Sequence, residues 1–175
     1  MPYDRRVARF AEAFAIVRGL LAGERVSLAG EFWSADDAVL LPPPAARTRL
    51  MVGSNGPRML NLTLPHVDAW NTWYEDYGNT AEGFAALNAR ITTAARAAGR
   101  DPAHVGRSAC AFVRMDGGAT ERPVTAEAPP LEGTAEHLAA RLRELADAGA
   151  DEVILVVSPI RERSIRRLGD AIAAV

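Results

Sequence analysis

The sequence predicts an α/β protein, a parallel sheet covered by helices. Short apolar runs alternate with amphipathic helical stretches from Leu50 onward. The run Glu152-Val153-Ile154-Leu155-Val156-Val157 is apolar on both sides after its first residue, as a strand buried between two layers must be. Four such βα units fit within the 175 residues. A complete (β/α)8 barrel takes about 250 residues, so the chain has room for half a barrel or for a small open sheet.

Arg5 to Leu21 reads as the first helix, with Val7, Phe10, Phe14, Val17 and Leu21 on one face and Gly23 as its stop. Val26-Ser27-Leu28 and Ala38-Val39-Leu40-Leu41 read as two short strands around Gly30-Glu31-Phe32-Trp33. Pro42-Pro43-Pro44 then ends regular structure. The absence of a second PxxP repeat leaves a docking role for this run with little support. Residues 1–49 are therefore an excursion beside the main fold, and 1–175 is expected to be one domain whose βα units occupy 50–175.

Leu50-Met51-Val52 is the first strand of the alternation, and Arg58 to His66 a short helix interrupted by Pro65. Val67 to Thr72 is the second strand, followed by the polar and aromatic Trp73 to Gly78. Thr80 caps a helix carrying Phe84, Leu87, Ile91 and Ala95 on one face and ending at Gly99. Arg107 to Met115 is the third strand, and Asp116 to Pro130, rich in Gly, Pro, Thr and Glu, is a loop. Thr134 caps a helix with Leu138, Leu142 and Leu145, closed by Gly149. After the fourth strand, Ile165, Leu168 and Ile172 mark a last helix.

Composition excludes several classes of function. Hydrophobic residues make up 49% of the chain, yet no apolar run approaches the roughly 20 residues of a membrane span. The net charge of −2, with both signs interspersed, gives no nucleic-acid footprint. All 20 basic residues are arginine, which excludes lysine Schiff-base chemistry. A single cysteine excludes an internal disulfide framework, and no apolar leader precedes the first helix; a cytoplasmic location is expected. Cys110 lies in an apolar run, where a buried structural thiol is expected rather than a nucleophile. His66, His104 and His137 have no ligand-like spacing, so no metal site is assigned.

The chemistry concentrates in Leu50-Met51-Val52-Gly53-Ser54-Asn55-Gly56-Pro57-Arg58-Met59-Leu60, a strand, a small-residue turn and a helix start. Such a junction converges backbone amides on an anion, and the helix dipole favours negative charge there. Gly53 and Gly56 permit positive φ and close approach of a ligand, Ser54 and Asn55 add hydrogen-bonding groups, and Pro57 suits a first helical position. Most such turns are only turns, and the bland reading stands beside phosphate binding.

The run Arg5 to Gly30, Leu40-Leu41-Pro42, Val52 to Pro57, Val67-Asp68-Ala69-Trp70-Asn71, Gly99-Arg100-Asp101-Pro102 and Ala148-Gly149-Ala150-Asp151-Glu152 together resemble the luciferase-like monooxygenases, most closely the branch using the deazaflavin coenzyme F420. The resemblance implies the second half of a (β/α)8 barrel, with Leu50-Met51-Val52 as its fifth strand. It implies an oxidoreductase performing hydride transfer with F420, or monooxygenation with FMN as the alternative, on a small organic substrate. Gly53, Ser54, Asn55 and Gly56 then hold the coenzyme's phosphate, although this turn departs from the commoner glycine-glycine form. Barrel enzymes place their sites at the carboxyl ends of strands, so Asn71, Thr72 and Trp73 are the substrate-binding candidates, with packed aromatics at a strand end as the alternative.

Trp70 is expected in the core and Asp68 in a structural role. Arg161 and Arg163, after the last strand, could meet an anionic group. No residue is assigned to catalysis, because the family's ring-supporting and proton-handling residues lie largely in the other half. Half a barrel leaves sheet edges and part of its inner face uncovered, which implies association of two copies, a complementing half from another chain, or a fragment. A non-catalytic assembly module and an unrelated phosphate-binding domain built on Ser54 to Arg58 are the rival readings. The absence of a P-loop lysine counts against nucleotide hydrolysis.

Overall fold

The computed structural model describes residues 5–115 and 120–175. It divides into two compact units, Met1–Leu50 and Met51–Val175.

In the first unit, α1 (Arg6–Leu21) is followed by an antiparallel pair, β1 (Val26–Ala29) and β2 (Ser34–Ala38). Phe10 and Phe14, one helical turn apart, stack at 5.5 Å. The Glu12 carboxylate accepts the backbone N–H groups of Glu31 (3.0 Å), Phe32 (2.8 Å) and Trp33 (2.9 Å), fixing the hairpin turn to the helix. The guanidinium groups of Arg5 and Arg9 lie over the Phe32 ring at 4.8 and 4.9 Å. The second strand lies earlier than the apolar run Ala38 to Leu41 suggests. Pairing begins at the turn, Ala29↔Ser34, and reaches the end of β1 at Val26↔Ala38. Nothing remains for Val39, Leu40 and Leu41 to pair with, and all three are exposed.

The second unit contains four parallel strands in sequence order, β3 (Met51–Val52), β4 (Ala69–Thr72), β5 (Gly106–Arg114) and β6 (Glu152–Ser158). Helices α2 (Pro57–Thr63), α3 (Ala81–Ala97), α4 (Ala135–Asp147) and α5 (Glu162–Ala173) alternate with them. This is the α/β architecture that the alternating pattern implies. The expected second strand starts two residues late because the Val67 N–H turns back to the Thr63 carbonyl, closing α2. Of the expected loop Asp116 to Pro130, residues 116–119 lie outside the described residues, and 120–130 are irregular.

Register sorts the two sheet faces. Trp70 stacks on Phe84 of α3 at 6.1 Å, while Leu155 and Val157 pack against Leu138 of α4 and Leu168 of α5. The alternate positions, Met51, Asn71, Ser108, Glu152 and Ile154, share the other face, where Met51 and Ile154 remain 47% and 42% exposed. Trp70, Phe84, Ile91 and Phe112 are shut off from solvent, each contributing about 1.5–3 kcal/mol of apolar burial.

Strand β5 outruns β4, and side chains satisfy its overhanging edge. The Tyr77 hydroxyl donates to the Cys110 carbonyl (2.8 Å), and the Asn79 carboxamide pairs with both the N–H and the C=O of Phe112 (3.0 and 2.9 Å). Leu131 then bonds to Phe112 and Arg114 in place of a strand. Burial raises the Tyr77 phenol above its ordinary value, with Cys110 adding to the effect. Thr80 and Thr134 cap α3 and α4 as expected, accepting from Gly83 (3.1 Å) and His137 (3.4 Å).

Candidate functional site

At the carboxyl ends of β3 and β4 lies an open cleft of about 450 Å³, lined by Gly53, Ser54, Asn55, Asn71, Thr72, Trp73 and Asp76. Six of the seven residues expected from sequence to hold cofactor or substrate meet here; Gly56 instead caps α2.

The turn is tied down from below. The indole Nε1 of Trp70, buried in the core as expected, donates to the Ser54 carbonyl at 3.0 Å. The Asn55 Nδ2 group donates to Thr72 Oγ1 (3.3 Å), and Thr72 Oγ1 donates to Asp76 Oδ2 (3.2 Å). A carboxylate only accepts, so this chain of bonds has one polarity and fixes which end of the Asn55 carboxamide faces Thr72. The Trp73 N–H also reaches Asp76 Oδ2, at 3.3 Å. The remaining Asn55 oxygen is buried without a partner, and the backbone N–H groups of Ser54 and Asn55 meet no acceptor among the described residues.

The expected backbone reason for the glycines is corrected. Neither Gly53 nor Gly56 adopts a positive φ; Gly56 has φ −76° and ψ 132°. A Cβ at either position would meet no neighbouring atom closer than 4.0 Å. The chain itself therefore does not require glycine here, and the small side chain instead leaves room in front of the turn. With only seven residues, α2 adds little dipole, so loop amides dominate any anion contact.

On the facing wall, Asn71 spends its carboxamide on β5. Its Nδ2 donates to Ser108 Oγ (2.9 Å), its Oδ1 accepts from Cys110 Sγ (3.5 Å), and Ser108 Oγ donates to Glu152 Oε1 (2.7 Å). Cys110 is thus a buried thiol within a polar row. Thr72 is 2% exposed with its hydroxyl engaged. Trp73 lies 4.9 Å from Tyr74, which lies 4.9 Å from Phe112 in the core.

Arg161 precedes α5 and Arg163 sits in its first turn; both are exposed and neither lines the cleft. Among the described residues, no group of three or more His, Cys, Asp or Glu side chains could hold a metal ion. Sequence reasoning passed over Asp76, the one ionisable group of the lining. Its signal was an acidic residue three positions after Trp73, a spacing that folds a carboxylate back onto a chain end. The lining offers free N–H groups, carboxamides, an indole and a carboxylate, a set suited to holding a polar ligand rather than to attacking one.

A family model described as luciferase-like monooxygenase matches residues 1–128. The F420-dependent hydroxymycolic acid dehydrogenase of Mycobacterium tuberculosis is 33% identical over 110 residues, covering 63% of this chain and 29% of that protein. The F420-dependent glucose-6-phosphate dehydrogenase of Beutenbergia cavernae is 42% identical over 57 residues, covering 33% of this chain and 17% of that protein. Among solved structures, an F420-dependent secondary alcohol dehydrogenase in complex with an F420-acetone adduct matches 100% of this chain and 64% of its own, with TM-score 0.79 and 18% identity. The chain thus spans less than a third of either curated relative and under two thirds of that structure.

Proposed function

The chain belongs to the luciferase-like monooxygenase family, and from that premise we propose that its second unit holds the phosphate of coenzyme F420 at the Gly53 to Gly56 turn, within an oxidoreductase acting on a small organic substrate. The observation that carries this reading is the room before the turn. A Cβ at either glycine would meet no atom closer than 4.0 Å, and the intervening Ser54 and Asn55 N–H groups meet no acceptor among the described residues, which supports an anion held at the turn. The relatives' names supply F420 as the coenzyme; FMN, which carries the same ribityl phosphate, is the alternative. When bound, the coenzyme would accept a hydride from the substrate or, in its reduced form, donate one. The residues of this chain hold the phosphate at Gly53 to Gly56, and Asn71, Thr72 and Trp73 form the wall that a substrate would meet.

Titration of the purified chain with F420 and with FMN, followed by coenzyme fluorescence, tests the reading. F420 is expected to bind saturably, and Gly53→Val, which fills the space before the turn, is expected to weaken it at least about tenfold. Saturable binding of FMN alone would replace the coenzyme, and no binding of either would remove the proposal.

A second reading concerns partners. On the sheet face that bears Met51 and Ile154, these two large apolar side chains are nearly half exposed. A complementing barrel half, from a second copy or another chain, would cover it. Sedimentation velocity over a concentration series is expected to detect association; a compact monomer throughout overturns this second reading.

A further inference from the structure

Trp73 belongs to the cleft lining, and on its ring sits a group that the coenzyme reading does not use. The Arg122 guanidinium lies over the indole with its Cζ 5.2 Å from the ring centroid. Two anchors hold this arrangement. From below, the rings of Trp73, Tyr74 and Phe112 follow one another at 4.9 Å spacings down into the core, where Tyr74 is 3% and Phe112 0% exposed. From the side, the neighbouring Glu121 N–H donates to Ser158 Oγ (3.0 Å), a fully buried hydroxyl at the end of β6.

A guanidinium held over an aromatic face keeps its full charge and its N–H donors, which match a carboxylate or phosphate in a two-pronged contact. No carboxylate is paired with Arg122 among the described residues, whereas the exposed Arg141 and Arg166 each have one within an i,i+3 or i,i+4 turn. The opposite charge lies close by, because the Trp73 N–H is bonded to Asp76. A ligand's anionic end placed against this wall is repelled from Asp76 and drawn to Arg122, so the two charges orient it about the indole.

We propose that Arg122, stacked on Trp73, is an anion-recognising residue on the substrate side of the cleft, and that the substrate class is an organic acid or phosphate ester rather than a neutral alcohol or alkane. The inference rests on the reading of Trp73 as substrate wall and deepens it.

The test uses the full chain and a matched pair of probes, propionate and propionamide, with the Arg122 side-chain Nε–H and Trp73 indole N–H followed by NMR. Propionate is expected to bind about tenfold more tightly than propionamide. Arg122→Gln is expected to abolish that preference, and Arg122→Lys to restore part of it, since an ammonium keeps the charge but loses the planar fork. Both variants are expected to leave coenzyme affinity within about twofold, because Arg122 lies outside the phosphate turn. Equal binding of the two probes overturns the proposal. So does a loss of coenzyme affinity in Arg122→Gln without change in the propionate preference, which would assign the residue to the coenzyme. If neither coenzyme binds while propionate still binds in an Arg122-dependent manner, the coenzyme reading fails and the anion site stands.

Discussion

The two ends of the parallel sheet treat their polar groups in opposite ways. At the amino end, the network around Arg107 closes within the chain. Arg107, 6% exposed, donates from Nε to Asn88 Oδ1 (2.7 Å), from Nη2 to Thr92 (3.4 Å) and from Nη1 to the Val105 carbonyl. Its backbone N–H reaches Asp151 Oδ2 (2.7 Å), its carbonyl accepts from Asp151 N (2.8 Å), and Asn88 Nδ2 closes on Ala148 (3.1 Å). Burial lowers the Arg107 pKa, and Asp151 opposes that shift. At the carboxyl end, among the described residues, the Asn55 oxygen is buried without a partner and the half-buried Ser54 and Asn55 offer backbone N–H groups that meet no acceptor. A buried polar group that bonds within the chain stabilises the fold, whereas one left open costs stability until a ligand meets it. One sheet thus has a closed polar network at one end and unpartnered polar groups at the other.

The most severe way to break this contrast is at the closed end. Arg107→Ala strands the Asn88 and Val105 oxygens and removes the donor to Thr92, while Asp151 keeps its two backbone bonds, and a loss of about 2–4 kcal/mol is expected. Urea unfolding reads it as a lower midpoint with unchanged slope. The folded fraction should keep its coenzyme affinity within about twofold. A variant that unfolds at the wild-type midpoint would mean that the network contributes nothing, and the contrast would collapse.

The open end should respond the other way round. Asn55→Ala removes a donor to Thr72 but also an unpartnered acceptor, so stability is expected to move by less than about 1 kcal/mol. Coenzyme affinity should fall about tenfold, the equivalent of one hydrogen bond to a charged group, donated by the Nδ2 hydrogen that Thr72 does not take. Calorimetric titration beside urea unfolding separates the two effects. A large stability loss without change in binding would make Asn55 structural.

Trp70 is where the ends connect, because its ring packs on Phe84 while its N–H holds the Ser54 carbonyl. Trp70→Phe keeps an aromatic in the core and releases the turn. The expected cost is about 1–2 kcal/mol with a several-fold loss of coenzyme affinity, measured on the same two instruments. Binding that stays intact would show that the turn holds its shape without the indole.

How much of this was legible depended on whether the cause was local. The βα alternation, the Thr80 and Thr134 caps and the buried Cys110 follow from periodicity and from neighbours within four residues. The cleft at the end of β3 and β4 was legible as well, because a strand followed by small residues announces itself. Strand β2 was misplaced because Val39, Leu40 and Leu41 carry strand-like side chains, while pairing is limited by the four residues that β1 offers. Asp76 and Arg122 were missed for a different reason. The spacing of Asp76 after Trp73 was a local signal left unread, but its further bond to Thr72, like the settling of the Arg122 guanidinium over the indole, is decided in three dimensions. Of the two freedoms read into Gly53 and Gly56, positive φ is not used, whereas room in front of the chain is present.

The smallest effect extends the contrast to the first unit, where a closed cluster depends on charge. Burial acts to raise the Glu12 carboxyl, but the three N–H groups of Phe32, Trp33 and Glu31, with Arg5 nearby, outweigh it and hold the group below its ordinary value of 4.5. A carboxyl whose folded value is depressed binds fewer protons in the folded state than in the unfolded one. Its contribution is therefore fully present above about pH 4.5, the unfolded value, and is lost as the pH falls through the lower folded value. The amide resonances of Glu31, Phe32 and Trp33 should shift together through a single acid transition below pH 4.5, and Glu12→Gln should remove that transition while leaving the hairpin formed at neutral pH. Independent titration of the three amides, or a transition that survives Glu12→Gln, would mean that the carboxylate is not what joins the turn to the helix.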